Sequence, residues 1–173
     1  MLDPPLRVAV FVLAFFVGQT RTPDIFFSPT RHNIADAMLL LARIQKTDVV
    51  YDRGSGDGRI PIIAAQKYGA KGVGIEIEQR LVDLSWQNAN EGLVADKVKF
   101  IVGDFFKADI SEATIVTLYL SASINCDLEA KLRTELKPGT RIVSHDFPIG
   151  KWTPDEILKV DEATLFLWTV PAR

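Results

Sequence analysis

The chain has 173 residues, of which 47% are hydrophobic and 24% charged, a globular composition sized for one domain with a single sizeable core. A formal net charge of −2 leaves no basic surplus to neutralise phosphates, so nucleic acid is not an expected partner. One cysteine, Cys126, excludes an internal disulfide, and the two histidines, His32 and His145, are too far apart in sequence to suggest a zinc site, so no metal is expected.

Val8 to Gly18 (VAVFVLAFFVG) is the compositional oddity. It is shorter than the about 20 apolar residues that span a bilayer as a helix. With Arg7 ahead of it, the run fits the apolar region of a secretory signal or a membrane tether. Phe16 makes a poor cleavage position, and Asp3-Pro4-Pro5 a weak positive start. An ordinary buried helix or strand is the alternative. A polar, proline-containing stretch follows from Gln19 to Pro29. Residues 1–25 therefore read as a hydrophobic segment with linker, and 26–173 as the folded domain.

Ile34, Met38 and Leu41 share one face of a predicted helix over 31–43, started by Ser28-Pro29-Thr30. Residues 48–52 (DVVYD) form a buried-strand run, and 58–68 a helix in which Pro61 falls in the first turn and Gly69 ends the last. Residues 73–77 read as the second strand, 78–91 as a helix ended by Gly92, 98–102 as the third strand and 114–120 as the fourth. Ile124, Leu128, Leu132 and Leu136 mark a helix stopped by Pro138-Gly139, and 141–145 is the fifth strand. Residues 156–160 and 163–170 flank Asp161-Glu162 as a hairpin. Alternating β and α segments imply a mostly parallel sheet with helices on both faces, closed by an antiparallel pair.

The strongest chemical signal is Asp52-Arg53-Gly54-Ser55-Gly56-Asp57-Gly58, at the end of the first strand and opening a helix. Open α/β sheets bind ligands at such strand ends, and glycines let the backbone approach closely. A dinucleotide loop, G-x-G-x-x-G, would need glycine at 59, where Arg59 stands; a serine-hydrolase elbow would need it at 53. A pyrophosphate is also ill-suited to Asp52 and Asp57. The acid-G-x-G-x-G pattern suits a cationic cofactor with a free amino group, such as S-adenosylmethionine. Glu76, ending the second strand 24 residues after Asp52, can accept from both ribose hydroxyls. Asp104, just after the third strand, can accept from the adenine amino group, and Phe105 offers a ring near the base. Each acid alone reads as a solvated turn residue; three at successive strand ends around a glycine loop point to a site.

With these residues in place, the sequence resembles class I S-adenosylmethionine-dependent methyltransferases. More narrowly, it is similar to the lysine methyltransferases that act on the ATP synthase c-subunit and on adenine nucleotide translocase, with their prokaryotic relatives. The resemblance runs over about residues 26 to 170 and is carried by FFSPT (26–30), VVYDRGSGDGRIPI (49–62), VGIEI (73–77), VGDFF (102–106), VTLYL (116–120) and RIVSHDFPIGKWTPD (141–155). It implies a seven-stranded Rossmann-like methyltransferase sheet, an S-adenosylmethionine site at Asp52, Gly54, Ser55, Gly56, Gly58, Glu76, Asp104 and Phe105, and a protein substrate, in particular a lysine of a membrane protein. The family usually has an apolar residue where Arg53 stands, and a Leu-Pro-Glu-like stretch where Ser121-Ala122-Ser123 stands. The [N/D]-P-P-[Y/F] motif of many amino-group methyltransferases is absent.

A lysine nucleophile must lose a proton and be aligned with the methyl group. Tyr119, at the end of the fourth strand, is the first candidate for shaping the acceptor site, and Thr30 the second. His145 and Asp146, ending the fifth strand, can assist with the proton. Tyr119 also reads as a core residue and His145 as an ordinary strand-end residue; Trp152 reads as closing the core. Two other functions stand beside methyl transfer. One is a non-catalytic S-adenosylmethionine-binding protein, suggested by the altered 121–123 stretch; the other is an NAD(P)-dependent oxidoreductase, against which Arg59 argues. Export would separate the protein from the cytosolic cofactor, so a cytoplasm-facing tether through Val8–Gly18 is favoured over secretion.

Overall fold

The computed structural model describes residues 28–172. The expected apolar segment Val8–Gly18 lies outside the described residues. In chain order the elements are α1 (His32–Leu41), β1 (Val49–Arg53), α2 (Arg59–Tyr68), β2 (Lys71–Glu76), α3 (Gln79–Glu91), β3 (Val98–Val102), β4 (Ile115–Leu118), α4 (Ala122–Glu135), β5 (Arg141–His145), β6 (Glu156–Val160) and β7 (Ala163–Thr169). The strands form one seven-stranded sheet in the order β3-β2-β1-β4-β5-β7-β6. β1 to β5 pair in parallel, whereas β7 runs antiparallel to both β5 and β6. This is the Rossmann-like sheet with a terminal hairpin that the alternation implies.

Two faces of the sheet are buried by different helices. α1 and α2 lay Ile34, Met38, Leu39, Ile60 and Ile63 against Val50, Ile115, Val143 and Leu165. α2 and α3 share a second cluster around Phe100. On the opposite face, α4 packs Ile124, Leu128 and Leu132 over Tyr51, Val116, Ile142 and Trp168. Trp152 is buried there, its carbonyl accepting from Trp168 Nε1 at 2.9 Å, as a core-closing residue should. Period-2 alternation explains the division along β1: Val50 and Asp52 face α1 and α2, while Tyr51 and Arg53 face α4.

The chain leaves β1 outward through β2 and β3, then returns to lay β4 on the other side of β1. The crevice beyond the carboxyl ends of β1 and β4 is therefore a topological switch point. Three local details differ from the sequence reading. α1 is capped at Arg31 with no side-chain bond, because Thr30 turns its hydroxyl toward His145 instead. β4 ends at Leu118, so Tyr119 and Leu120 project beyond the sheet edge. α4 begins earlier than its apolar residues, at Ala122, with Ser121 Oγ accepting from Ile124 N. Among the described residues, no helix is long and apolar enough to cross a membrane, and no cluster of side chains could hold a metal ion.

Candidate active site

A cleft of about 260 Å³ opens at the switch point. The glycine loop forms its floor. Gly54, Gly56 and Gly58 all adopt positive φ, between 55° and 77°. Gly58 shows why: it caps α2 at φ 77°, and a Cβ there would sit 2.6 Å from the Phe100 ring and 2.8 Å from Ser85 Cβ. The loop is tied to β2 through Gly54 N and Ser55 N, which both donate to the Ile75 carbonyl.

Asp52 reaches the cleft from β1 and is almost fully buried. Its register partner Thr117 on β4 donates to Oδ1 at 2.7 Å. Burial pushes its carboxyl up to about 7, with Asp57 and Glu76 adding to the rise and the Thr117 bond opposing it. Such a group favours a cation as its partner. Glu76 has a heavier structural load than its sequence position suggests. Oε1 accepts from Ile77 N at 2.7 Å and Glu78 N at 3.0 Å, while Oε2 accepts from Gly56 N at 3.0 Å. Its carboxylate thus clamps the glycine loop to the end of β2, and Oε2 retains the more open acceptor capacity for a ligand hydroxyl. Ser55 Oγ lies buried at the cleft with no hydrogen-bond partner among the described residues. An orphaned hydroxyl beside a raised buried carboxyl, with Phe105 on the wall, fits a ligand that carries an ammonium, several polar groups and an aromatic base.

The structure brings Asp52, Gly54, Ser55, Gly56, Glu76, Phe105, Thr30 and Tyr119 to the cleft wall. Gly58 lies behind it as the turn into α2. Asp104 is adjacent but turned into its own loop, where Oδ1 accepts from Phe106 N at 2.9 Å. Asp146 is not on the wall either. It sits at φ 61°, exchanges backbone and side-chain bonds with Thr164, and approaches His145 Nε2 at 3.4 Å.

Further contributors stand outside the expected site residues. Arg59 forms a two-pronged ion pair with Asp57, at 2.9 and 2.5 Å, and donates from Nη1 to the Thr30 carbonyl at 2.7 Å. One guanidinium therefore fastens the 28–30 segment, which roofs the cleft, to the glycine loop. Phe147 lines the cleft and is held by Asn125, whose Nδ2 donates to its carbonyl at 2.9 Å. An arginine one residue after a G-x-G-x-G loop is a readable signal; the Asn125 contact spans 22 residues and is not.

Beyond the end of β4, the Tyr119 ring stacks on His145 with centroids 3.9 Å apart and planes 25° from parallel. Thr30, itself buried, places Oγ1 3.4 Å from His145 Nδ1. Burial, reinforced by Arg31, lowers the His145 imidazole below its ordinary value, against the opposing pull of Asp146.

The chain is similar to known proteins in sequence and fold. The sequence model of the ANTKMT methyltransferase domain matches residues 52–156. A protein-lysine N-methyltransferase of Saccharolobus islandicus (strain REY15A) is 40% identical over 153 residues, covering 86% of this chain and 95% of that protein. A lysine N-methyltransferase of the ATP synthase c-subunit from Xenopus laevis is 37% identical over 124 residues; the match covers 72% of this chain but only 54% of that protein. Among solved structures, an RNA methyltransferase from Salinibacter ruber in complex with S-adenosyl-L-homocysteine is 52% identical with a TM-score of 0.83, covering 84% of this chain and 95% of that one. The family model, the relatives and the fold agree: the chain belongs to the ANTKMT methyltransferase domain family, and it is an S-adenosylmethionine-dependent methyltransferase.

Proposed function

We propose that this enzyme methylates the side-chain nitrogen of a lysine in a protein, and that a membrane protein supplies that lysine. The observation that carries the reading is the acceptor end of the cleft, where Tyr119 and Thr30 meet above a buried histidine. An ammonium entering there meets an aromatic face and a hydroxyl. The Saccharolobus islandicus and Xenopus laevis relatives are both described as lysine methyltransferases, which supports the substrate class. The apolar Val8–Gly18 stretch supports contact with a membrane. It precedes a methyltransferase domain that we set at 26–173.

Bound in the cleft, S-adenosylmethionine supplies a methyl group activated on a sulfonium. Asp52, Gly54, Ser55, Gly56, Glu76 and Phe105 on the cleft wall are assigned to holding it, with Gly58 shaping the loop from behind and Asp104 ordering the adjacent 104–106 turn. Glu76 keeps the loop in shape while offering Oε2, Asp52 faces the positive end, and Phe105 covers the base. Tyr119 and Thr30 align and desolvate the incoming nitrogen, which is most of what a direct displacement requires. Asp146 acts from behind His145.

A second reading, an RNA substrate, is raised by the description of the Salinibacter ruber protein. The net charge of −2 and the acidic wall of the cleft weigh against it. The test is methyl incorporation from radiolabelled cofactor into membrane extract, soluble protein and total RNA in parallel, followed by hydrolysis of the labelled fraction. Methyl-lysine from membrane protein is the expected product. Label confined to RNA would replace the lysine reading.

A further inference from the structure

We propose that Thr30 and His145 form a proton relay that accepts the proton of the incoming ammonium, with Asp146 at its outer end. The inference rests on the lysine reading above and gives that site its proton path. Thr30 lines the cleft, whereas His145 stands behind it, so any traffic between ligand and imidazole passes through the threonine hydroxyl.

The placement of Asp146 sets the direction assigned to the relay. Its Oδ2 lies 3.4 Å from His145 Nε2, and a carboxylate on that side favours the neutral ring with its hydrogen on Nε2. Nδ1 is then the acceptor, and Thr30 Oγ1 at 3.4 Å donates to it. That leaves the Thr30 oxygen lone pairs for the cleft. These distances are long for hydrogen bonds, as catalytic ones commonly are in enzymes without ligand. The step balances. An N–H bond of the ammonium breaks and its proton goes to Thr30 Oγ1. The original Thr30 hydroxyl proton passes to Nδ1. The nitrogen retains the electron pair with which it attacks. The imidazolium formed is stabilised by Asp146 and by the Tyr119 ring stacked upon it. Asp146 has a side chain 37% exposed, so the proton leaves to solvent by that route.

Burial and the groups facing His145 set its titration: burial lowers it, Asp146 beyond β5 favours the charged ring, Arg31 ahead of α1 disfavours it, and Thr30 and Tyr119 complete its contacts. Arg59, by binding the Thr30 carbonyl, holds the hydroxyl in line. Tyr119 therefore has two tasks, a wall for the acceptor on one face and a partner for the imidazolium on the other.

The experiment compares full-length enzyme with Thr30→Val, Thr30→Ser and His145→Asn. Lysine methylation is followed from pH 5 to 10, with S-adenosylhomocysteine calorimetry and the His145 ring followed by NMR; only His32 need be distinguished from it, since the chain has two histidines. Thr30→Val keeps the shape and loses the hydroxyl. It should lower kcat at pH 7 by about 10²-fold, the low end for positioned proton transfer. The loss should shrink as pH rises and free amine accumulates. Thr30→Ser should recover most of it, and S-adenosylhomocysteine affinity should stay within about threefold in all three. In the unmutated protein the acid limb of kcat should coincide with the NMR titration of His145, and His145→Asn should abolish that limb. If His145→Asn does not fold, the threonine pair decides. Methylation of lysine by Thr30→Val with unmutated rate and pH profile overturns the relay while leaving the lysine reading intact. No methyl-lysine from the unmutated enzyme overturns the lysine reading, and the relay with it.

Discussion

Asp52 and Arg53 are neighbours on β1, yet the pleat sends them to opposite faces and gives them opposite fates. Asp52 is a buried acid with its carboxyl raised to about 7. Between its ordinary value of 3.8 and about 7, the folded chain binds a proton that the unfolded chain has lost. This group therefore contributes stability at low pH that is lost as pH rises through that window. A cationic ligand reverses the preference, since it binds the ionised form. S-adenosylhomocysteine, which keeps the amino group, should bind more weakly by up to tenfold per pH unit below about 7. Calorimetry between pH 5 and 8 checks this; a flat profile would remove Asp52 from the ammonium site. Arg53 faces α4, flanked in register by Ile75 and Leu118. It is 0% exposed, and none of its guanidinium nitrogens has a hydrogen-bond partner among the described residues. Burial lowers it to about 10, against the opposing pull of Glu135 and Asp104, so it stays charged at neutral pH with the Phe105 ring 5.9 Å away. Arg53→Met should stabilise the protein by about 1–4 kcal/mol, as replacing other buried charges has done. A lower melting temperature for that variant would show that the guanidinium has a partner in solution. The sequence shows a charged residue at the end of a buried-strand run where the resembled family implies an apolar one; that Arg53 has no hydrogen-bond partner there is not legible, because pairing depends on α4 and the 104–108 loop, distant in sequence.

At the scale of the element, the strands and helices are legible in the sequence because their periods are strong and their ends are punctuated. Gly69 ends α2 at φ 68°, and the Asp161-Glu162 pair turns β6 into β7. The edges that mislead are those where a polar residue has a tertiary partner. Thr30 belongs to a plain helix-start signal in sequence, but His145, 115 residues away, takes its hydroxyl. Glu76 reads as a ligand-binding acid at a strand end, yet three backbone amides already depend on it. Gly58 carries the tightest local demand, since φ 77° and the Phe100 ring at 2.6 Å from an added Cβ both exclude a side chain. Gly58→Ala should cost about 2 kcal/mol or more, from left-handed backbone strain plus overpacking against α3. For a chain of this size that is a fall of at least about 4 °C in Tm. Since the same turn sets the loop, cofactor affinity should fall with it, and an unchanged Tm would mean that the α2 start can shift without loss.

The molecule as a whole places one ligand where its parts meet. The cleft draws on β1, β2, the loop after β3, the residues beyond β4, and the 28–30 segment ahead of α1. Arg59 links that last segment to the glycine loop, so the roof and the floor are mechanically one piece. A ligand that touches all of these should stabilise the native state without favouring any one element. At one hundred times its Kd, a ligand binding only the folded state adds about 2.7 kcal/mol. With about 2–4 °C per kcal/mol at this length, S-adenosylhomocysteine should raise Tm by about 5–11 °C. NAD, whose pyrophosphate would meet Asp52 and Asp57 on the wall, should leave Tm unmoved. The transition should remain single, because the ligand bridges both halves of the sheet about the switch point and no half can melt while it stays bound. A rise with NAD comparable to that with S-adenosylhomocysteine would show that Ser55 and Glu76 read the ribose alone and that Asp52 contributes no charge selectivity. A two-step melt with S-adenosylhomocysteine would show that the β5-β7-β6 edge, which gives the cleft little beyond Phe147, unfolds independently of the ligand.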